Sequence, residues 1–319
     1  MILALLLTLT AHACTFPEKA KVLFAETTLD QNIALFEEES RCLYVISPEC
    51  PTILKSAQLS ETPSAVEIQP GSGRIYFYYP SSFELRSLDP VTLQEKLEAK
   101  LSTGRSCTRE KQGDIEVEKC HTIAPENLDI SLSDTTIVLH SRHTLLAANA
   151  SAPRFTSAYP HNWYFGVRVA YSPESSRLLV LENLPSGESI VKWFVLNHGL
   201  KLLSPLPATA LQSSGIKKVY FLQEGDYFLA SNGLIYRTGD MQLTAQIPAF
   251  DSAYPQSQGL FTVSAVDSLF KITFFNANLR PEHFTYVNQR PLLLLPGYGV
   301  FPEGSLKEII RSLPGIPHE

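Results

Sequence analysis

The fold is decided by the stretch Gln69-Pro70-Gly71-Ser72-Gly73-Arg74-Ile75-Tyr76-Phe77, in which a short polar turn leads into an apolar strand. A close copy is Ser172-Pro173-Glu174-Ser175-Ser176-Arg177-Leu178-Leu179-Val180, and a looser one is Glu39-Ser40-Arg41-Cys42-Leu43-Tyr44-Val45. Weaker copies begin at Ser133, Glu224 and Val266. The copies recur at intervals of roughly 30 to 60 residues, which is typical of β-propeller blades.

Extension of each copy to its flanking strands and turns predicts an all-β protein made of four-stranded blades. The propeller is expected to occupy residues 32–301. The six blades so outlined are Asn32–Leu59, Ala65–Leu101, Leu128–Pro153, Gly166–Pro207, Lys217–Pro248 and Gly259–Val287.

Two further strand-like segments, Lys21–Leu29 and Arg290–Phe301, lie at opposite ends of the chain. Joined into one closing blade they would make seven blades, which we favour over six because closure removes unpaired sheet edges. Residues 14–31 are thus a leader with a possible closing strand. Residues 302–319 are predicted as a tail with a short helix starting at Ser305, which either packs on the propeller or docks a partner.

The first thirteen residues predict export. Residues 1–13 form an apolar run that ends in Ala11-His12-Ala13, a pattern that signal peptidases cleave. Cys14 follows directly and is either a lipid-attachment site or an unmodified cysteine. The predicted location is therefore the bacterial cell envelope, periplasmic or anchored to the outer membrane, with the lipid as the only membrane contact.

The other four cysteines suit an oxidising compartment. Cys42 and Cys50 flank a short turn, and Cys107 and Cys120 bracket a charged insertion, so two local disulfides are the simplest pairing. The formal net charge is −6, with signs mixed along the chain. This distribution argues against a nucleic-acid partner.

Polar residues on the first strand of several blades predict a ring of mixed charge around the central channel. Its members are Glu67, Asp129, Arg168 and Lys218. They would either orient a polar ligand or a metal bound through the two carboxylates, or form ion pairs between blades.

A second repeat is aromatic: Phe155-Thr156-Ser157-Ala158-Tyr159-Pro160 recurs as Phe250-Asp251-Ser252-Ala253-Tyr254-Pro255. Both copies are expected in loops between blades, and the first continues into His161 and Trp163. Tyr159, His161, Trp163 and Tyr254 are the candidate contacts for a protein, peptide or carbohydrate. The alternative is that the tyrosines are wedges between blades.

Catalytic signatures are missing from the sequence, which has no nucleophile elbow, zinc-protease helix, phosphate loop or calcium loop. His140 and His143 are three apart in a predicted strand and would point to opposite faces, which argues against a shared metal. No metal or cofactor is predicted, and His161 is the one histidine considered as an acid or base.

The Ser-Pro-x-x-Ser-Arg-Leu-x-Val phrase at Ser172–Val180, with its variant at Gln69–Phe77, resembles the repeats of bacterial YVTN and lactonase-like propellers. The resemblance covers blades 2, 4 and 5 well and implies a propeller. Lactonase-type members hydrolyse sugar lactones, but their catalytic residues match no positions here.

The sequence therefore favours an exported ligand- or protein-binding module over an enzyme. A hydrolase with its site at the channel mouth, using Glu67, Asp129, Arg168 and His161, is the first alternative. A structural envelope lipoprotein is the second.

Overall fold

The computed structural model describes residues 14–101, 104–112, 115–123, 128–141, 145–157, 167–172, 175, 177–183, 189–195, 201–202, 210–211 and 216–314. These residues form a seven-bladed β-propeller with one short helix near the C-terminus, as predicted. Within each blade, successive strands pair antiparallel, beginning at the channel and ending at the rim.

Blades 1 to 3 are built from the first part of the chain, with a β-hairpin inserted between blades 2 and 3. Their strands, with the hairpin β9–β10, are β1 (Ala20–Thr27), β2 (Ile33–Glu37), β3 (Cys42–Ser47), β4 (Thr52–Gln58), β5 (Ala65–Ile68), β6 (Ile75–Tyr79), β7 (Glu84–Leu88), β8 (Glu95–Lys100), β9 (Gly104–Gln112), β10 (Ile115–Ile123), β11 (Asp129–Leu132), β12 (Thr136–His140), β13 (Leu145–Asn149) and β14 (Thr156–Ser157).

Blades 4 to 7 follow, and a 3-10 turn lies at Gln223–Gly225. Their elements are β15 (Val167–Ser172), β16 (Arg177–Asn183), β17 (Ser189–Val195), β18 (Lys201–Leu202), β19 (Ala210–Leu211), β20 (Val219–Leu222), β21 (Tyr227–Ala230), β22 (Leu234–Arg237), β23 (Leu243–Gln246), β24 (Ser252–Gln256), β25 (Gly259–Val266), β26 (Leu269–Asn276), β27 (Pro281–Val287), β28 (Leu293–Leu295), β29 (Tyr298–Val300), β30 (Glu303–Gly304), α1 (Leu306–Ile309) and β31 (Ile310–Ser312).

Second strands are the most deeply buried elements of blades 1 and 2. All five residues of both β2 and β6 are buried. A strand covered on both faces needs apolar side chains at successive positions, as in Ile75-Tyr76-Phe77-Tyr78-Tyr79. The described core accordingly divides into seven clusters, one at each interface between neighbouring blades.

The repeated turn phrase links neighbouring blades. In blade 2 the Gln69 amide donates to the carbonyls of Ser133 and Asp134, both at 3.1 Å, in the equivalent turn of blade 3. The Gly71 N–H donates to Asp134 Oδ1 at 2.6 Å, and a Cβ at position 71 would lie 2.4 Å from that oxygen. In blade 4, Arg177 Nη1 reaches Thr238 Oγ1 of blade 5 at 3.3 Å.

The two chain ends close the ring in a way that differs from the prediction. Ala20–Thr27 is the innermost strand of blade 1, not part of a closing blade, and β28, β29 and β31 make a three-stranded blade 7. Closure comes from β30, which pairs Gly304 with Ala20 and Glu303 with Lys21. The Val22 N–H also donates to the Pro302 carbonyl at 2.7 Å.

The predicted C-terminal helix is present but short. The Ser305 N–H donates to Glu308 Oε2 at 2.8 Å, which caps the first turn. The helix ends at Ile309, because Ile310 has extended backbone and pairs with Val300 of β29. Residues up to 312 therefore belong to the propeller, although the sequence assigned them to a tail.

The cysteines pair differently from the first prediction. Cys14 is bonded to Cys42, and Cys50 is free and exposed. Cys42 opens β3 whereas Cys50 follows its far end, and an extended strand of five steps separates its ends by about 16 Å. A Cys42–Cys50 bond would need the two Cα atoms within about 7 Å. The prediction was wrong because it took proximity in sequence for proximity in space, whereas an extended strand separates the two cysteines.

Candidate functional site

Carboxylates from three consecutive blades face the central channel. Glu26 lies on β1, Glu67 on β5 and Asp129 on β11, the innermost strands of blades 1, 2 and 3. Glu67 stands between the buried Val66 and Ile68, so strand alternation turns it away from the core between blades 1 and 2. The Asp129 carboxylate acts electrostatically on both glutamates.

Burial, together with the neighbouring negative charge, favours the neutral forms of Glu26 and Glu67. Burial, followed by the Asp129 charge, raises the pKa of Glu26 to about 7. Burial raises the pKa of Glu67 well above its ordinary value, and Glu26 and Asp129 add to the effect. Both glutamates retain partial contact with water, which places them in a solvated channel rather than in a dry core.

Basic residues lie on or next to the inner strands of blades 3, 4 and 5. Burial and the nearby Arg290 guanidinium lower the pKa of Lys218, which directly precedes β20. Arg168 occupies the innermost strand of blade 4, where the structure describes its backbone only. His140 contacts Ser131 Oγ through Nε2 at 3.1 Å, and burial lowers its pKa despite the opposing Asp129 carboxylate.

A cavity of about 610 Å³ opens at one end of the channel between blades 1, 6 and 7. We call it the mouth cavity. Its walls include two carboxylates, two tyrosines and three prolines, and no Lys, Arg or His is among its lining residues. The lining residues used below are Glu26, Glu49, Tyr254, Gln256 and Tyr298.

Tyr254 is the one predicted contact residue that the structure places in a cavity. It lies on β24, the innermost strand of blade 6, and its hydroxyl donates to the Pro291 carbonyl at 2.8 Å. The side chain packs against the cores on both sides of blade 7. Tyr254 is therefore both a wedge between blades and part of the cavity wall, not a loop residue.

The two aromatic repeat copies are not structurally equivalent. Thr156–Ser157 is the outermost strand of blade 3, whereas Ser252–Gln256 is the innermost strand of blade 6. The spacing of the copies therefore does not match the blade repeat. Tyr159, His161 and Trp163, the other three predicted contacts, lie outside the described residues.

Sequence reasoning missed Glu26, Arg290 and Tyr298. Glu26 was overlooked because β1 was assigned to a closing blade, and the alignment then took β2 as the first strand of blade 1. Blade 6 was shifted in the same way, because its first strand is β24 and not β25. An alignment that allowed an extra strand before Asn32 would have placed Glu26 beside Glu67.

The sulfur of Cys14 is occupied by its bond to Cys42. A lipid thioether needs the same atom, so the bond is an alternative to both states considered from the sequence, a lipid-attachment site and an unmodified cysteine. The surrounding chain is also tied to blade 1: the Cys14 N–H donates to Ser56 Oγ at 3.0 Å, and Tyr44 donates to the Thr15 carbonyl at 3.0 Å.

Neither a metal-binding cluster nor a membrane-spanning helix is found among the described residues. No group of three or more His, Cys, Asp or Glu in those residues is arranged to hold a metal ion. None of the helices in the described part of the chain has the length and apolar character needed to cross a membrane.

Comparisons with known proteins identify the class by fold alone. No family model and no curated protein matches the sequence, so the resemblance to YVTN and lactonase-like repeats stays a prediction. Among solved structures, the chain is similar to hydrazine synthase of Kuenenia stuttgartiensis, with TM-score 0.53 and 13% identity over 82% of this chain and 79% of that one.

Two further structures show the range of proteins that share this fold. PorZ, a surface component of the type-IX secretion system of Porphyromonas gingivalis, matches with TM-score 0.52 and 16% identity over 94% of this chain and 39% of that one. A functionally unknown protein from Desulfotomaculum acetoxidans matches with TM-score 0.52 and 12% identity over 85% and 80%. The neighbours share an architecture and no common function.

Proposed function

We propose that this protein is an exported binding module whose ligand site is the mouth cavity. The observation that carries the proposal is the cavity itself, since a concave space of about 610 Å³ with tyrosines and a few convergent polar groups is typical of ligand sites. The expected partners are a peptide, a protein segment or a carbohydrate.

Hydrogen bonds hold the blade 6 wall of this cavity to blade 7. Besides the bond from Tyr254 to Pro291, the Gln256 amide donates to the Leu294 carbonyl at 3.1 Å. A wall fixed before binding loses less conformational entropy when a ligand arrives, which favours affinity. The cavity is thus suited to recognise a ligand without rearrangement of the blades.

Export is supported by cysteine chemistry. The Cys14–Cys42 bond is of a kind that persists in oxidising compartments, and Cys107 and Cys120 are direct partners in the register of the β9–β10 hairpin. Directly opposed residues of antiparallel strands have Cα separations compatible with a disulfide. We therefore keep Cys107–Cys120 as a proposed second bond and the periplasm as the proposed location.

The binding role is tested by ligand-observed NMR with a fragment library of small peptides, amines and saccharides, using purified oxidised protein. We expect hits whose signals weaken in Tyr254→Ala and Tyr298→Ala. Tyr286→Ala is the matched control, because Tyr286 is exposed on the outermost strand of blade 6. Hits that persist in both cavity variants, or a complete lack of hits, would refute a ligand site in the mouth cavity.

Export is tested by fractionating expressing cells and measuring the mass of the mature protein without reduction. We expect a periplasmic protein that begins at Cys14, carries no acyl chains, and yields Cys14–Cys42 and Cys107–Cys120 peptides. A cytoplasmic protein with reduced cysteines would contradict the export proposal while leaving the cavity proposal intact.

A hydrolase is the second candidate, and the channel carboxyls favour it. Glu67, with its raised pKa, would hold a proton at neutral pH and serve as general acid, while the neighbouring Asp129 would serve as base. Hydrolysis of lactone or glycoside substrates that is abolished in Glu67→Gln and retained in Glu282→Gln would support catalysis. Equal rates in both variants would exclude this use of Glu67.

A further inference from the structure

We infer that the mouth cavity selects ligands that carry a protonated amine. The inference rests on the proposed function and names its ligand class. Glu26 and Glu49 supply negative charge to the walls, Tyr254 and Tyr298 supply aromatic surface, and no cationic side chain is among the lining residues. Carboxylates combined with aromatic rings are a recurrent way of binding ammonium groups.

Glu26 is the residue best placed to contact the amine. In the described parts of the chain, its carboxylate accepts no hydrogen bond and forms no ion pair, although it sits among the inner strands. A carboxylate in such surroundings gains free energy from a cation that neutralises it. Glu49 is exposed on the turn between β3 and β4, so it marks the outer rim, where it would attract the ligand.

Other charged groups around Glu26 leave the cavity side as the open approach for a cation. The Asp129 carboxylate acts on Glu26 from the channel and repels it, which makes an incoming positive charge more favourable. Arg290 acts on Tyr254 and Lys218, and it is not among the groups that perturb Glu26. The Tyr254 hydroxyl already donates to Pro291, so its oxygen remains available as an acceptor.

Proton linkage gives the inference a distinctive signature. Because the pKa of Glu26 is raised to about 7 without ligand, the carboxyl must lose its proton to pair with an ammonium group. Affinity for amines should therefore rise about tenfold between pH 6 and pH 8, as the ionised fraction of the carboxyl rises. An uncharged ligand in the same cavity should show no such rise.

The experiment is isothermal titration calorimetry of the oxidised protein at pH 6 and pH 8. The amine probes are 1,5-diaminopentane, which represents free polyamines, and Nα-acetyl-lysine methylamide, which represents a peptide side chain. The uncharged control is 1,5-pentanediol. We expect both amines to bind and the diol not to bind. The amine that binds more tightly shows whether the ligand is a small polyamine or a peptide.

Matched variants locate the site. Glu26→Gln should weaken amine binding about 30-fold and remove its pH dependence, because the charge opposite the ammonium is lost. Glu49→Gln should weaken it less, because Glu49 is exposed. Glu282→Gln removes the same charge from the outermost strand of blade 6 and should leave affinity unchanged. Thermal unfolding of each variant checks that it is folded.

The possible results separate this inference from the function on which it rests. Amine binding that is equal in Glu26→Gln and Glu282→Gln overturns the inference, because the charge would then be bound elsewhere. Neutral fragments that bind in a Tyr254-dependent manner, without any amine binding, overturn the amine specificity and leave the binding function standing. If neither kind of probe binds in the cavity, both proposals fall.

Discussion

Glu26 destabilises the folded protein at neutral and alkaline pH, because the channel disfavours its charged form. Its pKa rises from 4.5 in the unfolded chain to about 7 in the folded one. Below pH 4.5 the carboxyl is protonated in both states and does not lower the free energy of unfolding. Between pH 4.5 and 7 only the unfolded state has lost the proton, so stability falls as pH rises and then levels off.

Replacement of this carboxyl should therefore stabilise the protein in a pH-dependent manner. Glu26→Gln should raise the free energy of unfolding at pH 8 by roughly 1 to 3 kcal/mol and change it little at pH 4. The gain is smaller than for a fully buried carboxyl, because the Glu26 side chain retains contact with water. Urea unfolding at both pH values measures the difference, with Glu282→Gln as control. A variant that is less stable at pH 8 would contradict the assigned burial of Glu26.

Gly71 is constrained by its contact with blade 3, not by its backbone angles. A Cβ there would meet the Asp134 carboxylate at 2.4 Å, so Gly71→Ala should force that carboxylate away from the Gly71 N–H. Loss of this charged hydrogen bond should cost about 1 to 3 kcal/mol of stability. Gly239→Ala is the control, because nothing lies within 4 Å of its Cβ position; equal unfolding midpoints for the two variants would refute the interlocking role.

At the scale of elements, the disulfide fastens Cys14 and the segment that follows it to blade 1. Cys14 and Cys42 are 28 residues apart, and closure of a loop of that length restricts the unfolded chain by about 3 to 4 kcal/mol in the entropic description. Cys14→Ser with Cys42→Ser should lower the melting temperature markedly. Cys50→Ser should leave it unchanged, since Cys50 is free and exposed. A comparable loss in Cys50→Ser would indicate the Cys42–Cys50 bond instead, because both variants would break that bond.

Strands were predictable where the sequence repeats a local pattern. The turn phrase at Gln69–Arg74 and the apolar run after it define β5 and β6 almost to the residue, because turn residues and buried strands are both read locally. Cysteine pairing was not predictable in this way, because it depends on which strand ends lie next to each other in the folded blade. Cys14 reaches Cys42 only after β1 and β2 have folded into the same blade.

At the scale of the whole molecule, the interface between blades 6 and 7 holds the last blade in the ring. Phe301 is fully buried between blades 6 and 7, and the Arg311 guanidinium lies 3.8 Å from the centre of its ring. Phe301→Ala should cost about 3 to 5 kcal/mol, because it leaves a cavity at the interface between blades 6 and 7. Phe284→Ala should cost far less, since Phe284 is 61% exposed, and denaturant unfolding of both compares them. Similar losses of unfolding free energy in the two variants would show that burial at this interface contributes no more than the exposed rim of blade 6.

The candidate site was less predictable than the fold because it is assembled from distant parts of the chain. Glu67 and Asp129 were recognised from their places on innermost strands. Their partner Glu26 was not, since its strand belongs to blade 1 only if blade 7 can be completed by Ile310–Ser312. A mouth cavity between blades 1, 6 and 7 exists only once the ring is closed, so no local pattern could report it.

The pairing of Glu303–Gly304 with Ala20–Lys21 also bears on the order of biosynthesis. The ribosome makes β1 well before its partner β30, so the first six blades must exist before the ring can close. If the chain is threaded through an export channel from its N-terminus, the first six blades reach the far side as an unclosed array. Release of the final residues then becomes the step that turns a translocating chain into a finished propeller.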